Sequence, residues 1–142
     1  MTGKFDDLIA VSDILQERAL DKHRMNLAES RRLAAELDQI DALRQAVQED
    51  GASVGARQLS GADSLWQTWL VTRRAFILQE MAMARAKEAD SLSQARLAQA
   101  RFDAAQSLDR EDRKRSREKR LLAQAETIEA LGRLRHAQSD DI

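Results

Sequence analysis

Apolar side chains recur at three- and four-residue steps along almost the whole chain, with polar residues filling the spaces between them. Between Lys4 and Asp50 this spacing picks out Phe5, Leu8, Ser12, Leu15, Ala19, Asn26, Ser30, Leu33, Leu37, Ile40, Arg44 and Val47. The seam they form is apolar at both ends and polar in its middle. Neither this run nor the stretch from Asp63 to Gln138 contains proline, and the second holds a single glycine, Gly132. The pattern predicts an all-α chain with helix one over about 4–50, a turn at 51–62 and helix two over about 63–138. Gly51, Gly55 and Gly61 gather at the turn. At about 1.5 Å per residue helix two would run roughly 110 Å, far beyond the helices of compact domains.

Local signals agree with these bounds. Thr2 is the expected N-cap of helix one, with Asp6 and Asp7 in the first turn where the helix dipole favours acids. Ser60 and Asp63 have the spacing of a capping box, and Asp63 can itself cap helix two.

Charged residues make up 33% of the chain and aromatics 4%, which leaves too little apolar volume for a thick core and favours a thin seam between two helices. The net charge is −1, but residues 1–63 carry 8 basic and 12 acidic side chains while residues 64–142 carry 15 and 12. Arms of opposite net charge favour antiparallel pairing, so the expected fold is one elongated two-helix coiled-coil hairpin over 1–142. Folding at the glycines sets residue i near roughly 113 − i. That register places Leu37 near Phe76, Val47 near Trp66, Leu15 near Ala98, Leu8 near Ala105, Phe5 near Leu108, His23 near Asp90 and Asn26 near Lys87. Helix one then runs out near Leu108 and leaves Asp109 to Gln138 as an unpaired helical extension. Its stripe of Leu121, Leu122, Ala125, Ile128 and Leu131 calls for a cover from outside the hairpin.

The longest run without a charge, Ser64 to Thr72, is far shorter than a membrane span, and the amino terminus lacks the pattern of a signal peptide. A cytoplasmic protein is expected. There is no cysteine, and His23 and His136 have no neighbours suited to a metal site or a catalytic triad. No enzyme activity, metal or cofactor is expected. Arg110 to Arg120, REDRKRSREKR, holds seven basic and three acidic residues. No sustained heptad follows it, so it reads as a solvated face or a contact for an acidic protein surface; a nucleic-acid-binding hairpin is the lesser alternative.

Helix two opens with the most distinctive segment. At 100° per residue, Leu65, Trp69, Phe76 and Met83 fall on one stripe, and Trp66, Leu70, Ile77 and Met81 on a second about 100° away. One stripe suffices for helix one. The second is expected to dock another protein, or to pack in a homodimer or under the linker.

A short chain opening with Phe5-Asp-Asp-Leu-Ile9, a shorter helix, a Gly/Ser turn and a longer helix that begins Leu65-Trp-Gln-Thr-Trp69 and ends in a charged tail resembles the FliJ/YscO-type proteins of flagellar and type III export. The resemblance implies a non-enzymatic coiled-coil stalk that links an export ATPase ring to an export gate protein and also handles export chaperones, at the cytoplasmic side of a membrane-embedded apparatus. It places the gate contact on Trp66, Trp69, Phe76, Ile77 and Met83. The part that enters the ATPase ring maps onto Phe5, Leu8 and Leu15 together with Leu121, Leu122, Ile128 and Leu131. A self-associating coiled-coil scaffold is the alternative.

Overall fold

The computed structural model describes residues 3–49 and 62–141. Helix α1 spans Asp6–Glu49 and helix α2 spans Ala62–Asp140, with no strand among the described residues. The expected turn, apart from Ala62, lies outside the described residues, as do Thr2 and Ser60. At the start of α1 the cap is built from Gly3 and Asp6. The Gly3 N–H donates to the Asp6 carboxylate while the Asp6 N–H donates to the Gly3 carbonyl at 3.2 Å. The Asp6 carboxylate thus makes the acid's half of a capping box, while the return bond runs between backbone groups because Gly3 has no side chain.

The chain divides into two compact units, Leu15–Ala98 and Met1–Ile14 with Gln99–Ile142. In the first, α1 and α2 run antiparallel, since ascending positions of α1 meet descending positions of α2. His23 bonds Ser91, Asn26 bonds Lys87, Glu36 pairs with Arg73 and Asp41 with Arg74. Ile40, Leu70 and Ile77 form the core, with Leu37 and Met81 packed against it. Buried positions along α2 step through Leu70, Ile77, Ala84, Ser91 and Ala95. This is the four-three spacing that keeps one helical stripe against a partner helix. Arg74 Nε reaches Asp41 at 2.9 Å on the flank of the core. Pairs as exposed as these select register more than they add stability.

The middle of the seam is polar and hydrogen-bonded. Ser91 Oγ donates to the Glu88 carbonyl at 3.1 Å, so it accepts from His23 Nδ1, 2.8 Å away. Asn26 Nδ2 donates to the Lys87 carbonyl at 3.2 Å. Ser30 Oγ is closed off from solvent and has no partner among the described residues. Polar groups in such a seam lower its stability but penalise shifted pairings, because a slip leaves them unbonded. Ser91→Ala alone is therefore expected to cost about 1 kcal/mol by stranding the histidine N–H, and Ser91→Ala with His23→Leu to recover that loss. Urea denaturation followed by circular dichroism measures both; a double variant less stable than the single one would contradict the account.

In the second unit, Phe5 and, from α1, Ile9 and Ser12 are turned inward with Phe102, Ala105 and Asp109 of α2, and Ser12 and Ala105 are buried. Arg113 closes the pairing. Its guanidinium lies 3.6 Å from Asp6 and bonds Asp109 at 2.9 Å. Beyond it every residue from Lys114 to Asp141 is exposed, so an extension without cover from α1 is present, but it begins after Arg113 and not at Asp109, which α1 still pairs.

Two parts of the expected seam require correction. Leu8 and Leu15 are 45% and 48% exposed, and Ile9 and Gln16 take the inward positions. An inward stripe through Leu8 and Leu15 would have to change phase between Ala19 and Asn26. The helix instead keeps unbroken four-three steps through Gln16, Ala19, His23 and Asn26, which turns the two leucines to the flank. On α2 the assignment of stripes is reversed. Leu70 and Ile77 are the most buried large side chains, whereas Leu65, Trp69, Phe76 and Met83 are exposed. Leu37 therefore packs by Ile77 and its neighbours rather than Phe76, and Leu108 points outward while Asp109 turns in.

Candidate partner-binding surfaces

No group of acidic, histidine or cysteine side chains suited to a metal ion occurs among the described residues, and none of their helices is long and apolar enough to cross a membrane. Exposed helical faces carry the apolar side chains that a partner could cover. Two stand out.

The first lies on α2 within the Leu15–Ala98 unit. Trp69, Thr72, Phe76, Gln79, Met83 and Ala86 succeed one another at three- and four-residue steps, all exposed and none charged. They lie roughly 120° around the helix from the core stripe of Leu70, Ile77 and Ala84. This is a second coiled-coil seam, complete in spacing and without a covering helix among the described residues. Trp66 and Trp69 stack at its start, ring centroids 5.3 Å apart and planes within 13°. The Arg73 guanidinium sits 5.4 Å from the centre of the Phe76 ring while also pairing with Glu36, so it ties the outer face to α1. Such aromatic anchors fixed by neighbours lose little freedom when they are covered.

Of the five residues expected to contact a gate, Trp66, Trp69, Phe76 and Met83 are present on this exposed side. Ile77 is not: it is fully buried against α1. Thr72, Gln79 and Ala86 also belong to the surface. Their polar or small side chains hide them in a search for apolar positions, although their spacing marks them.

The second face is the extension of α2 in the other unit. Leu121, Leu122, Ile128 and Leu131 are each more than 60% exposed, and Leu134 joins them. No α1 residue covers them. Internal pairs support this stretch instead, Arg115 with Glu111 at 3.9 Å and Arg133 with Glu129 at 3.6 Å. The run Arg110 to Arg120 is thus partly neutralised within its own helix, as expected of a solvated face. Of the remaining residues expected at a ring contact, Phe5 is half-buried beneath Lys4, whose ammonium lies 5.4 Å from the ring centre, while Leu8 and Leu15 are exposed. The charged flanks of α1 are arranged in the same local way. Glu29 is held below the usual carboxylate range chiefly by its hydrogen bond from Arg32, and Arg32 is raised in return.

No family model, curated protein or solved structure matches the chain. The functional reading therefore rests on these two faces and on the resemblance carried by the sequence.

Proposed function

We propose that the chain is a non-enzymatic coiled-coil stalk of a flagellar or type III export apparatus, acting at its cytoplasmic side between an export ATPase ring and an export gate protein. The observation that supports it most is the unequal pairing of the helices. α1 ends its pairing at Asp6 and Arg113, and α2 continues to Asp140 with its large apolar side chains exposed to solvent. A helix that outruns its partner and leaves Leu121, Leu122, Ile128 and Leu131 uncovered suits insertion into a ring lined by other subunits. It does not suit a self-contained helical domain, whose apolar stripe would be covered. In this reading the ring receives the extension, with Leu121, Leu122, Ile128 and Leu131, together with Phe5, Leu8 and Leu15. The gate protein contacts Trp66, Trp69, Phe76 and Met83. Export chaperones are the third class of partner.

The gate contact is tested by Trp69→Ala with Phe76→Ala. Both side chains are half exposed, so helicity and melting of the monomer should stay near wild type. Affinity for the cytoplasmic domain of the gate, measured by calorimetry, should fall by at least about 2 kcal/mol if these are anchors. Unchanged affinity would remove the gate protein from this face.

A further inference from the structure

We propose that the outer seam of α2 is closed by a second copy of this chain, in an antiparallel, two-fold symmetric dimer whose axis passes between Ile77 and Leu78. The six seam residues form a set that complements itself. Laid antiparallel about that axis, Trp69 of one copy meets Ala86 of the other, Thr72 meets Met83 and Phe76 meets Gln79. No seam position is left over, and the bulkiest side chain faces the smallest. That is the requirement of an isologous interface, in which one patch must fit itself.

The flanking residues select this arrangement over its rivals. On one side of the seam lie Trp66, Arg73, Glu80 and Lys87; on the other lie Thr68, Ala75 and Ala82. In an antiparallel pair like flanks face each other. Arg73 of each copy then lies beside Glu80 of the other, and Trp66 beside Lys87, an ion pair and a cation–aromatic contact each made twice. The alanine flanks meet and let the helices approach closely. A parallel pair would set Arg73 and Glu80 against Thr68, Ala75 and Ala82 and gain no charge pairing. Of the two nearest alternative antiparallel registers, one brings the two Arg73 side chains together and the other the two Glu80 side chains. The hairpin also leaves this face ready to pair, because Leu70 and Ile77 are satisfied by α1 on a different stripe.

The dimer does not depend on the export reading. If both hold, one consequence follows: Trp69 and Phe76 cannot contact a gate protein and a second copy at once, so the free protein would keep its docking face covered until the partner displaces it.

Sedimentation equilibrium of the isolated chain from micromolar to submillimolar concentration should show a monomer–dimer equilibrium. Ala82→Arg, at a position exposed in the hairpin, should leave the helix content unchanged and weaken dimerisation at least tenfold. Because the chain has no cysteine, single-cysteine variants report only contacts between copies. Two Gln79→Cys positions lie about 5 Å apart along the helix axes, and two Ala86→Cys positions about 25 Å. Under mild oxidation the first should cross-link readily and the second should not. A single-chain mass at every concentration would overturn the proposal and leave the seam to another protein's helix. Equal cross-linking at the two positions, or a dimer indifferent to Ala82→Arg, would overturn it as well. None of these measurements includes the gate protein, so their outcome is separate from that of the gate-binding test.

Discussion

Truncating Ile77 to alanine is expected to destabilise the hairpin by about 2 to 4 kcal/mol, because the side chain is fully enclosed by Leu37, Ile40, Leu70 and Met81 and the surrounding residues can collapse only partly into the space. Phe76, one residue earlier, is larger but half exposed on the outer face, and Phe76→Ala should cost less than about 1 kcal/mol. The contrast is the point of the experiment. Side-chain size alone would rank the two in the opposite order. A thin two-helix seam has little stability to lose, so Ile77→Val, at about 0.5 to 1.5 kcal/mol, provides a graded version should the alanine variant unfold. Denaturation curves should be taken at protein concentrations where self-association is negligible, since a dimer would add its own concentration-dependent stability. Equal costs for Ile77→Ala and Phe76→Ala would mean that α2 is rotated from the orientation described here.

That rotation is where sequence reasoning reached its limit. The axial register was legible: pairing i with about 113 − i anticipated Asn26 beside Lys87, where its amide in fact bonds, and placed His23 one residue from its partner Ser91. Glycine distribution and the length difference between the arms fix that quantity, and neither depends on which face is turned inward. Rotation does depend on it, and here the sequence offers two stripes of comparable apolarity on α2. The inner stripe combines Leu70 and Ile77 with Ala84, Ser91 and Ala95, whose small size permits close approach but reads as a weak hydrophobic signal. The outer one displays Trp69, Phe76 and Met83 and reads as strong. Continuity decides between them. Four-three steps from Leu70 persist through Ala84, Ser91 and Ala95 along the length shared with α1, while the outer seam turns polar after Ala86, where its next positions are Asp90 and Ser93. The same criterion separates Ile9 and Gln16 from Leu8 and Leu15. For the candidate sites, the extension was legible because it follows from lengths alone. Membership of Ile77 in the docking face was not, since that required the rotation.

Hydrogen exchange in the extension is expected to change more than that of any other segment when an assembled export ATPase is added. In the free chain the amides of residues 114–140 belong to a helix with no covering partner among the described residues. Alanine content and ion pairs such as Glu129 with Arg133 sustain it, and Gly132 weakens it by about 1 kcal/mol relative to alanine. Exchange there should be fast. Covering Leu121, Leu122, Ile128 and Leu131 inside a ring should slow it markedly, whereas amides near Ile40 and Ile77, already protected by the core, should hardly respond. Gly132→Ala supplies an internal calibration. A side chain added at that position meets nothing within 4 Å, so the substitution should slow free-state exchange locally without touching any contact of the hairpin. If the extension exchanges slowly in the free wild-type monomer, an internal partner covers it and the pairing described here is incomplete. If it stays fast in the presence of a ring to which the protein demonstrably binds, the ring holds some other part of the chain, and the stalk proposal loses the observation on which it chiefly rests.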